Sequence, residues 1–273
     1  MESPLMRTRS AVRDAPSEEE FERLYQATLE SPSYERQVED QFILLATGRL
    51  GLRSGEVLHF LSGDNKKWID RESKQLKIPH HVACGCRYCQ EQAQQAVETK
   101  PERDFEHIID RYWKPKYSPS ARAIPYDWSP RIVEVVERFT DLIGGFNIAQ
   151  STLNRRVNTL HERAGISGNT YPHALRAAAA CWWANRGMSS PNLQAYFGWK
   201  DMRVAEAYIR LSGKELQKHV SRLLDQDPEV PDVDGPEPQS GEHSRPRYEN
   251  ETDTNNMSLF EVEKHLEESD VVG

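Results

Sequence analysis

The feature that most constrains the fold is the spacing of apolar residues, which recur every three or four positions along much of the chain before residue 225. Such spacing places apolar side chains on one face of an α-helix. Ser17 and Glu20 form a capping-box pattern, which predicts a first helix over about 17–30. After Pro130 the helical pattern is almost continuous. The chain is therefore predicted to be mainly α-helical.

A short region between these helices has the alternation of apolar and polar residues that is typical of β-strands. Two such segments, 68–69 and 76–78, flank a polar turn at 71–73, and a further segment lies at 121–125. The predicted fold class is α+β, mainly α, with a small antiparallel β-sheet beside the helices.

The composition changes sharply at Asp225. Residues 225–273 contain 15 acidic and 3 basic residues, with prolines interleaved among the acids. Such a segment cannot bury enough apolar surface to offset the entropy lost on ordering. We predict an acidic, largely disordered tail over 225–273, with a short helix at 257–266. Residues 1–15 lack periodicity and are predicted to form a flexible basic arm, so that the folded domain spans 16–224.

The net charge of −8 is the sum of two regions with net charges of opposite sign. The tail has a net charge of −12, whereas residues 1–224 have 32 basic and 28 acidic residues and a net charge of +4. A mildly basic folded region is compatible with a polyanionic partner such as DNA. Two uses of the tail remain open: it mimics phosphate on the basic face, or it keeps the chain soluble.

The sequence gives no sign of membrane insertion or secretion. It contains no run of about 18 apolar residues, and residues 1–13 lack the apolar region of a signal peptide. Three of the four cysteines lie within six positions, a local cluster rather than a spread disulfide framework. We therefore expect a cytoplasmic protein with no membrane partner.

The cysteine cluster offers metal ligands at close spacing. His81, Cys84, Cys86 and Cys89 provide one imidazole and three thiolates within ten residues. This set suffices for a tetrahedral Cys₃His zinc site, which would be structural rather than catalytic. The alternative interpretation is a group of reduced cysteines in a turn.

Several polar residues far apart in the chain form an ordered set. They are Arg53 followed by Glu56, then Lys116, the pair His173 and Arg176, Trp199 after Gly198, and Tyr208. In type, order and separation they resemble the catalytic motifs of the tyrosine recombinase, or phage integrase, family. The resemblance is to the catalytic domain of archaeal-type members and covers about residues 16–222. One departure is that three residues separate Thr47-Gly48 from Leu52-Arg53, where the family has a continuous motif.

The chemistry of phosphodiester cleavage explains why these residue types are needed. Charge on the non-bridging oxygens must be neutralised, and Arg53 and Arg176 supply bidentate groups that stay charged. The phenol of Tyr208, with an ordinary pKa of about 10, needs a proton acceptor before it can attack. Histidine ordinarily changes its protonation state near neutral pH, so His173 fits that task.

The resemblance implies the remaining roles. Tyr208 would form a covalent 3′-phosphotyrosine, and Lys116 would protonate the leaving 5′-oxygen, although Lys114 is an alternative for that role. Trp199 would orient the arginines and contact the phosphate. No metal or other cofactor is expected to be required for catalysis.

The predicted function is that of a site-specific, integrase-like recombinase acting on double-stranded DNA, as a multimer on paired sites. Two alternatives remain: a noncatalytic DNA-binding regulator of the same fold, and a type IB topoisomerase-like nicking and closing enzyme. Family members usually have a core-binding domain before the catalytic domain, whereas here about 15 residues precede it. This departure leaves three alternatives open: the protein encircles DNA alone, it binds DNA weakly, or an accessory protein replaces that domain.

Overall fold

The structure is a computed structural model, and it describes residues 11–60, 68–80, 82, 84, 86–99, 113, 115, 117–146 and 148–212. The acidic tail with its predicted short helix at 257–266, Lys116 and His81 lie outside the described residues.

The first helix forms where the sequence predicts it. The capping box is present: the Ser17 backbone N–H donates to the Glu20 carboxylate at 2.8 Å, and the Glu20 N–H donates to the Ser17 hydroxyl at 3.2 Å. These bonds satisfy backbone donors that have no partner within the helix. The helices are α1 (Glu18–Ala27), α2 (Tyr34–Gly48) and α3 (Ser54–His59).

A three-stranded antiparallel sheet follows, with strand order β1–β2–β3. Its strands are β1 (Ile69–Asp70), β2 (Gln75–Ile78) and β3 (Arg122–Pro125). Leu76 in the central strand lies opposite Ile69 on one side and Ile124 on the other. This arrangement places apolar side chains of all three strands in the core and confirms the predicted fold class.

The remaining helices carry local signals at their ends. A proline occupies the first turn of α5, α7 and α8, where its missing N–H leaves no helical bond unmade. Gly165 and Gly198 end α6 and α8 in the left-handed conformation. The helices are α4 (Arg87–Thr99), α5 (Pro130–Leu142), α6 (Gln150–Ala164), α7 (Pro172–Asn185), α8 (Ser190–Phe197) and α9 (Met202–Ser212).

The main core surrounds α2, which packs against α5, α6 and α7. Phe42 of α2 stacks on Phe139 of α5, with ring centroids 3.8 Å apart and planes inclined by 7°. From Phe42 to Gly48 every residue of α2 is buried. A helix buried on all sides holds its C-terminal end firmly, and the segment leading to Arg53 starts there.

A second cluster of buried side chains joins α7, α8 and α9. Alanines on α7 allow the three helices to approach closely, and Ala11, Val12 and Ala15 pack against the same cluster. The Tyr171 hydroxyl also donates to Asp14 at 3.1 Å. These three residues, which lie in the segment predicted as a flexible arm, thus find a buried surface on the helical cluster.

Among the described residues, no helix has both the length and the apolar character needed to cross a membrane.

Candidate active site

Arg53 lies at the N-cap of α3, and its side chain is held by the helix that it precedes. The Glu56 carboxylate accepts from the Arg53 backbone N–H at 2.9 Å and from its Nη1 at 3.2 Å. The guanidinium also donates to the Ser120 hydroxyl at 3.2 Å and to the Gly198 carbonyl at 3.4 Å. The three-residue spacing between Arg53 and Glu56 thus fixes where the guanidinium points.

Glu56 is almost fully buried, with 2% of its surface exposed, and a second arginine neutralises it. Arg122 of β3 donates to both carboxylate oxygens, at 2.8 and 2.9 Å. Burial by itself raises the pKa of Glu56, but the charge and hydrogen bonds of Arg122, together with the charges of Arg53 and Arg176, lower it to about 2. The carboxylate therefore stays ionised inside the protein.

Arg122 is a site residue that sequence reasoning missed. Its Nε also donates to the Tyr196 carbonyl at 2.8 Å, which connects β3 to α8. The available signal was Glu56 itself, because an acidic residue in a buried motif requires a positive partner. The sequence offered no way to choose that partner among the many arginines.

Arg176 is buried within α7 and reaches two backbone segments. One guanidinium nitrogen donates to the Gly51 carbonyl, and the other donates to the Phe197 carbonyl at 2.6 Å. Gly51 has a φ of +64°, and a Cβ there would lie 2.3 Å from the Phe197 ring. Only glycine fits this position, which sets the loop geometry between Gly48 and Arg53.

The two arginines of the predicted clamp meet at the end of α8. Arg53 donates to the carbonyl of Gly198, and Arg176 donates to that of Phe197, the preceding residue. Arg53 comes from the loop after α2, whereas Arg176 comes from α7, so the two side chains approach from different elements. The structure therefore brings together two residues that lie 123 positions apart in the sequence.

Trp199 and Tyr208 extend this group. The Trp199 ring stacks on Phe197 at 4.7 Å and on Tyr208 at 5.3 Å, the latter with planes inclined by only 3°. The Arg176 guanidinium carbon lies 6.0 Å from the Trp199 ring centre. Tyr208 is 2% exposed, so α9 presents it to the interior rather than to solvent.

His173 lies three residues before Arg176 in the first turn of α7, which places both on the same side of that helix. It is half-buried. Lys116 lies outside the described residues. The turn that follows it, Ser118–Ser120, belongs to the site through the contact of Ser120 with Arg53.

Comparison with known proteins adds family information to this geometry. A profile of the phage integrase family matches residues 144–215, a range that contains His173, Arg176, Trp199 and Tyr208. This match covers 72 of the 273 residues, and over that range the chain is similar to the phage integrase family. No curated protein sequence matches it.

Two solved structures share the fold of this chain. The XerA recombinase has a TM-score of 0.52 and 16% sequence identity, and the match covers 81% of this chain and 66% of that chain. The Tn1549 transposon integrase in complex with a circular intermediate DNA has a TM-score of 0.53 and 14% identity, over 80% of this chain and 68% of that one. The chain thus spans slightly less than two thirds of the XerA chain, and the likeness concerns the fold.

The cysteine cluster of this chain also converges in space. Cys84, Cys86 and Cys89 meet His59, the last residue of α3, and the four ligand atoms all lie within 4.8 Å of one another. Burial lowers the pKa of His59, but hydrogen bonds with Cys84 and Cys86 raise it to about 9. The predicted histidine, His81, lies outside the described residues. Sequence reasoning missed His59 because it stands 25 positions before the first cysteine.

Proposed function

We propose that the protein is a site-specific DNA recombinase that cuts and rejoins duplex DNA through a 3′-phosphotyrosine at Tyr208. The observation that best supports this function is the convergence of Arg53, Arg176, Trp199 and Tyr208 at the end of α8. These residues come from four separate segments, so their meeting is a property of the tertiary structure. A set of merely structural arginines would not require a stacked tyrosine beside them.

In the proposed reaction the Tyr208 oxygen attacks the phosphorus of one strand, and the bond from phosphorus to the 5′-oxygen breaks. The phenol proton passes to His173, and Lys116 donates a proton to the departing 5′-oxygen. Attack by a 5′-hydroxyl of the partner strand reverses these steps and restores a phosphodiester. One ester replaces another at each stage, so the reaction needs no nucleotide hydrolysis.

Arg53 and Arg176 would bind the non-bridging oxygens and stabilise the charge that develops on them. Their geometry suits this task because Glu56, Ser120 and backbone carbonyls already hold both guanidinium groups in place. Preorganised donors stabilise a transition state without reorganising during the reaction. Trp199 stacks on Tyr208 and lies 6.0 Å from the Arg176 guanidinium carbon, and we assign it an orienting role.

The burial of Tyr208 adds a conformational step to this proposal. Its hydroxyl cannot meet a DNA phosphate while the ring is 2% exposed against Trp199. Binding of DNA must therefore shift α9 or the end of α8. Such conformational steps commonly control the rates of enzymes.

The proposed partner is double-stranded DNA. The protein would bind it as a multimer on paired sites, and an accessory protein would supply additional DNA contacts. The Tn1549 transposon integrase, which shares the fold, was solved in complex with DNA. The net charge of +4 on residues 1–224 favours the same partner.

The proposal is tested with nicked duplexes that trap the covalent intermediate. We expect the wild-type chain to form a protein–DNA adduct that survives a denaturing gel, and Tyr208→Phe to form none while binding the same DNA within about twofold, since one hydroxyl contributes little to phosphate binding. Tyr25→Phe, which changes a half-buried tyrosine on α1, serves as the control and should form the adduct normally.

Three outcomes would contradict part of the proposal or favour one of the alternatives. An adduct with Tyr208→Phe would show that another residue is the nucleophile. Binding by the wild-type chain without any adduct would favour the noncatalytic regulator. Relaxation of supercoiled DNA without joining of two sites would favour the topoisomerase-like activity.

A further inference from the structure

The cluster formed by His59, Cys84, Cys86 and Cys89 lies outside the proposed catalytic group, and its chemistry is that of a metal site. Three sulfur atoms and one imidazole nitrogen lie within 4.8 Å of one another. Around a zinc ion with ordinary bond lengths, such atoms would stand about 3.5 to 3.8 Å apart. The four atoms therefore lie close enough together to surround a single ion.

The hydrogen bonding of His59 prepares one ring nitrogen as a ligand. Nδ1 lies 2.5 Å from the Gly55 carbonyl, which can only accept, so this nitrogen carries the proton. In the neutral ring that metal binding requires, the other nitrogen, Nε2, keeps its lone pair, and it faces the sulfurs of Cys89 at 2.8 Å and Cys86 at 3.4 Å. A backbone carbonyl that fixes the tautomer in this way is the usual second contact of a metal-bound histidine.

The surroundings suit thiolate ligands. Cys86 directly precedes α4 and Cys89 lies in its first turn, where the helix dipole favours negative charge. The Cys89 backbone N–H lies 3.5 Å from the Cys86 sulfur, in position to donate to a thiolate. Among the described residues, the cysteines form no disulfide.

Aromatic rings keep water away from the cluster. The His59 ring packs against Trp68, with centroids 5.5 Å apart, and against Trp113 at 4.2 Å. His59 is fully buried, and Cys84 and Cys89 are 9% and 2% exposed. Cys86 is half-buried. A largely buried site with four converging soft and borderline ligands favours a tightly held ion over loose surface binding.

We propose that His59, Cys84, Cys86 and Cys89 bind one structural Zn²⁺ ion, which ties the end of α3 to the segment that leads into α4. Thiolate and imidazole ligands in a tetrahedron select zinc. Four protein ligands leave no open coordination position, so the ion stabilises rather than catalyses. A helix as short as α3 gains from such an anchor because six residues form few helical bonds.

The first test measures zinc in the full chain, purified without chelators and with zinc in the growth medium. We expect about one zinc per chain, released when a mercurial reagent titrates the thiols, and a lower melting temperature after removal. Less than a tenth of an equivalent of zinc in the folded chain, with no uptake from added Zn²⁺, would overturn the proposal.

The second test identifies the histidine with matched variants. His59→Cys should retain zinc, because it converts the site to four thiolates, and should change the visible spectrum of the cobalt-substituted protein. His81→Ala should retain both the zinc and the wild-type cobalt spectrum. His59→Ala should lower zinc affinity by at least about 100-fold. This loss is larger than the one usually seen when a hydrogen-bonding partner of a metal ligand is removed.

These variants also separate a ligand from a merely packed residue. Cys181→Ser changes a cysteine on α7 outside the cluster and should leave zinc content unchanged. A wild-type cobalt spectrum in His59→Cys, or loss of zinc in His81→Ala alone, would overturn the assignment of His59. None of these readouts depends on DNA cleavage, so failure of the proposed recombinase activity would not affect them.

Discussion

At the scale of single residues, Glu56 organises the candidate site. Its carboxylate, almost completely buried, receives hydrogen bonds from Arg53 and from both terminal nitrogens of Arg122. Removing one member of such a buried group leaves an uncompensated charge, which is usually much more damaging than losing a surface pair. Glu56 therefore couples the stability of the fold to the position of a proposed catalytic arginine.

This coupling predicts a contribution of Glu56 to acid stability. Its pKa is about 2 in the folded protein, below the ordinary value of 4.5, so the folded state binds a proton less readily than the unfolded chain. The resulting stabilisation is complete above about pH 4.5 and is lost as pH falls through 2. By linkage it amounts to about 3 kcal/mol.

Urea unfolding of wild type and Glu56→Gln between pH 6 and pH 2 measures this contribution. We expect the free energy of unfolding to decline less with acid in the variant than in wild type. Glu134→Gln, on the exposed side of α5, serves as the control and should follow the wild-type curve closely. Parallel curves for wild type and Glu56→Gln would contradict the proposed role of the carboxylate.

At the scale of elements, the end of α8 is where the site is assembled. Gly198 ends this helix with a φ of +62°, and its carbonyl accepts from Arg53 and from the Ser120 hydroxyl. A Cβ at this position would lie 2.7 Å from the Ser120 Cα, which is backbone and cannot rotate away. The glycine thus allows α8 and the turn before β3 to touch.

A matched pair of glycines tests the importance of this close approach. Gly165 ends α6 with a similar φ of +59°, but a Cβ there would meet nothing within 4 Å. Gly165→Ala should therefore destabilise by only about 1 kcal/mol, the usual left-handed penalty. Gly198→Ala should lower the free energy of unfolding by more, about 2 kcal/mol or above, because the neighbouring backbone must also shift.

Equilibrium unfolding of both variants gives these values, and trapping of the covalent DNA adduct gives their effect on the site. We expect Gly165→Ala to form the adduct normally and Gly198→Ala to form less. Equal losses of stability in the two variants would show that contact between α8 and the turn is unimportant.

At the scale of the whole molecule, the charge distribution predicts an effect of the tail on DNA binding. Removing residues 225–273 changes the net charge from −8 to +4. We expect tighter binding to nonspecific duplex DNA, with a steeper dependence on salt, because the tail competes with phosphate for the basic face.

Fluorescence anisotropy with labelled duplex at several salt concentrations measures this effect. A chain with the tail sequence scrambled serves as the control and should bind as weakly as the intact chain if charge alone matters. Equal affinity of the intact and shortened chains would leave only the solubility role for the tail.

The sequence by itself determined the local structure and the main candidates for chemistry. Helices and their caps follow from residues spaced three or four positions apart, and the short strands follow from an alternation with a period of two. These patterns can be read from the sequence alone. The residues Arg53, His173, Arg176, Trp199 and Tyr208 could be selected because their order and separation resemble a known family. The three cysteines could be recognised as a cluster because they lie close together in the chain.

Only the tertiary structure decided which distant partners meet. Arg122 lies 66 positions from Glu56, and His59 lies 30 positions from Cys89, so no local pattern connects them. The enclosure of Tyr208 against Trp199 likewise depends on how α8 and α9 pack. Short-range periodicity specifies each element, whereas the partner of a buried charge or a metal ligand is set by the close packing of whole elements, which a sequence pattern does not encode.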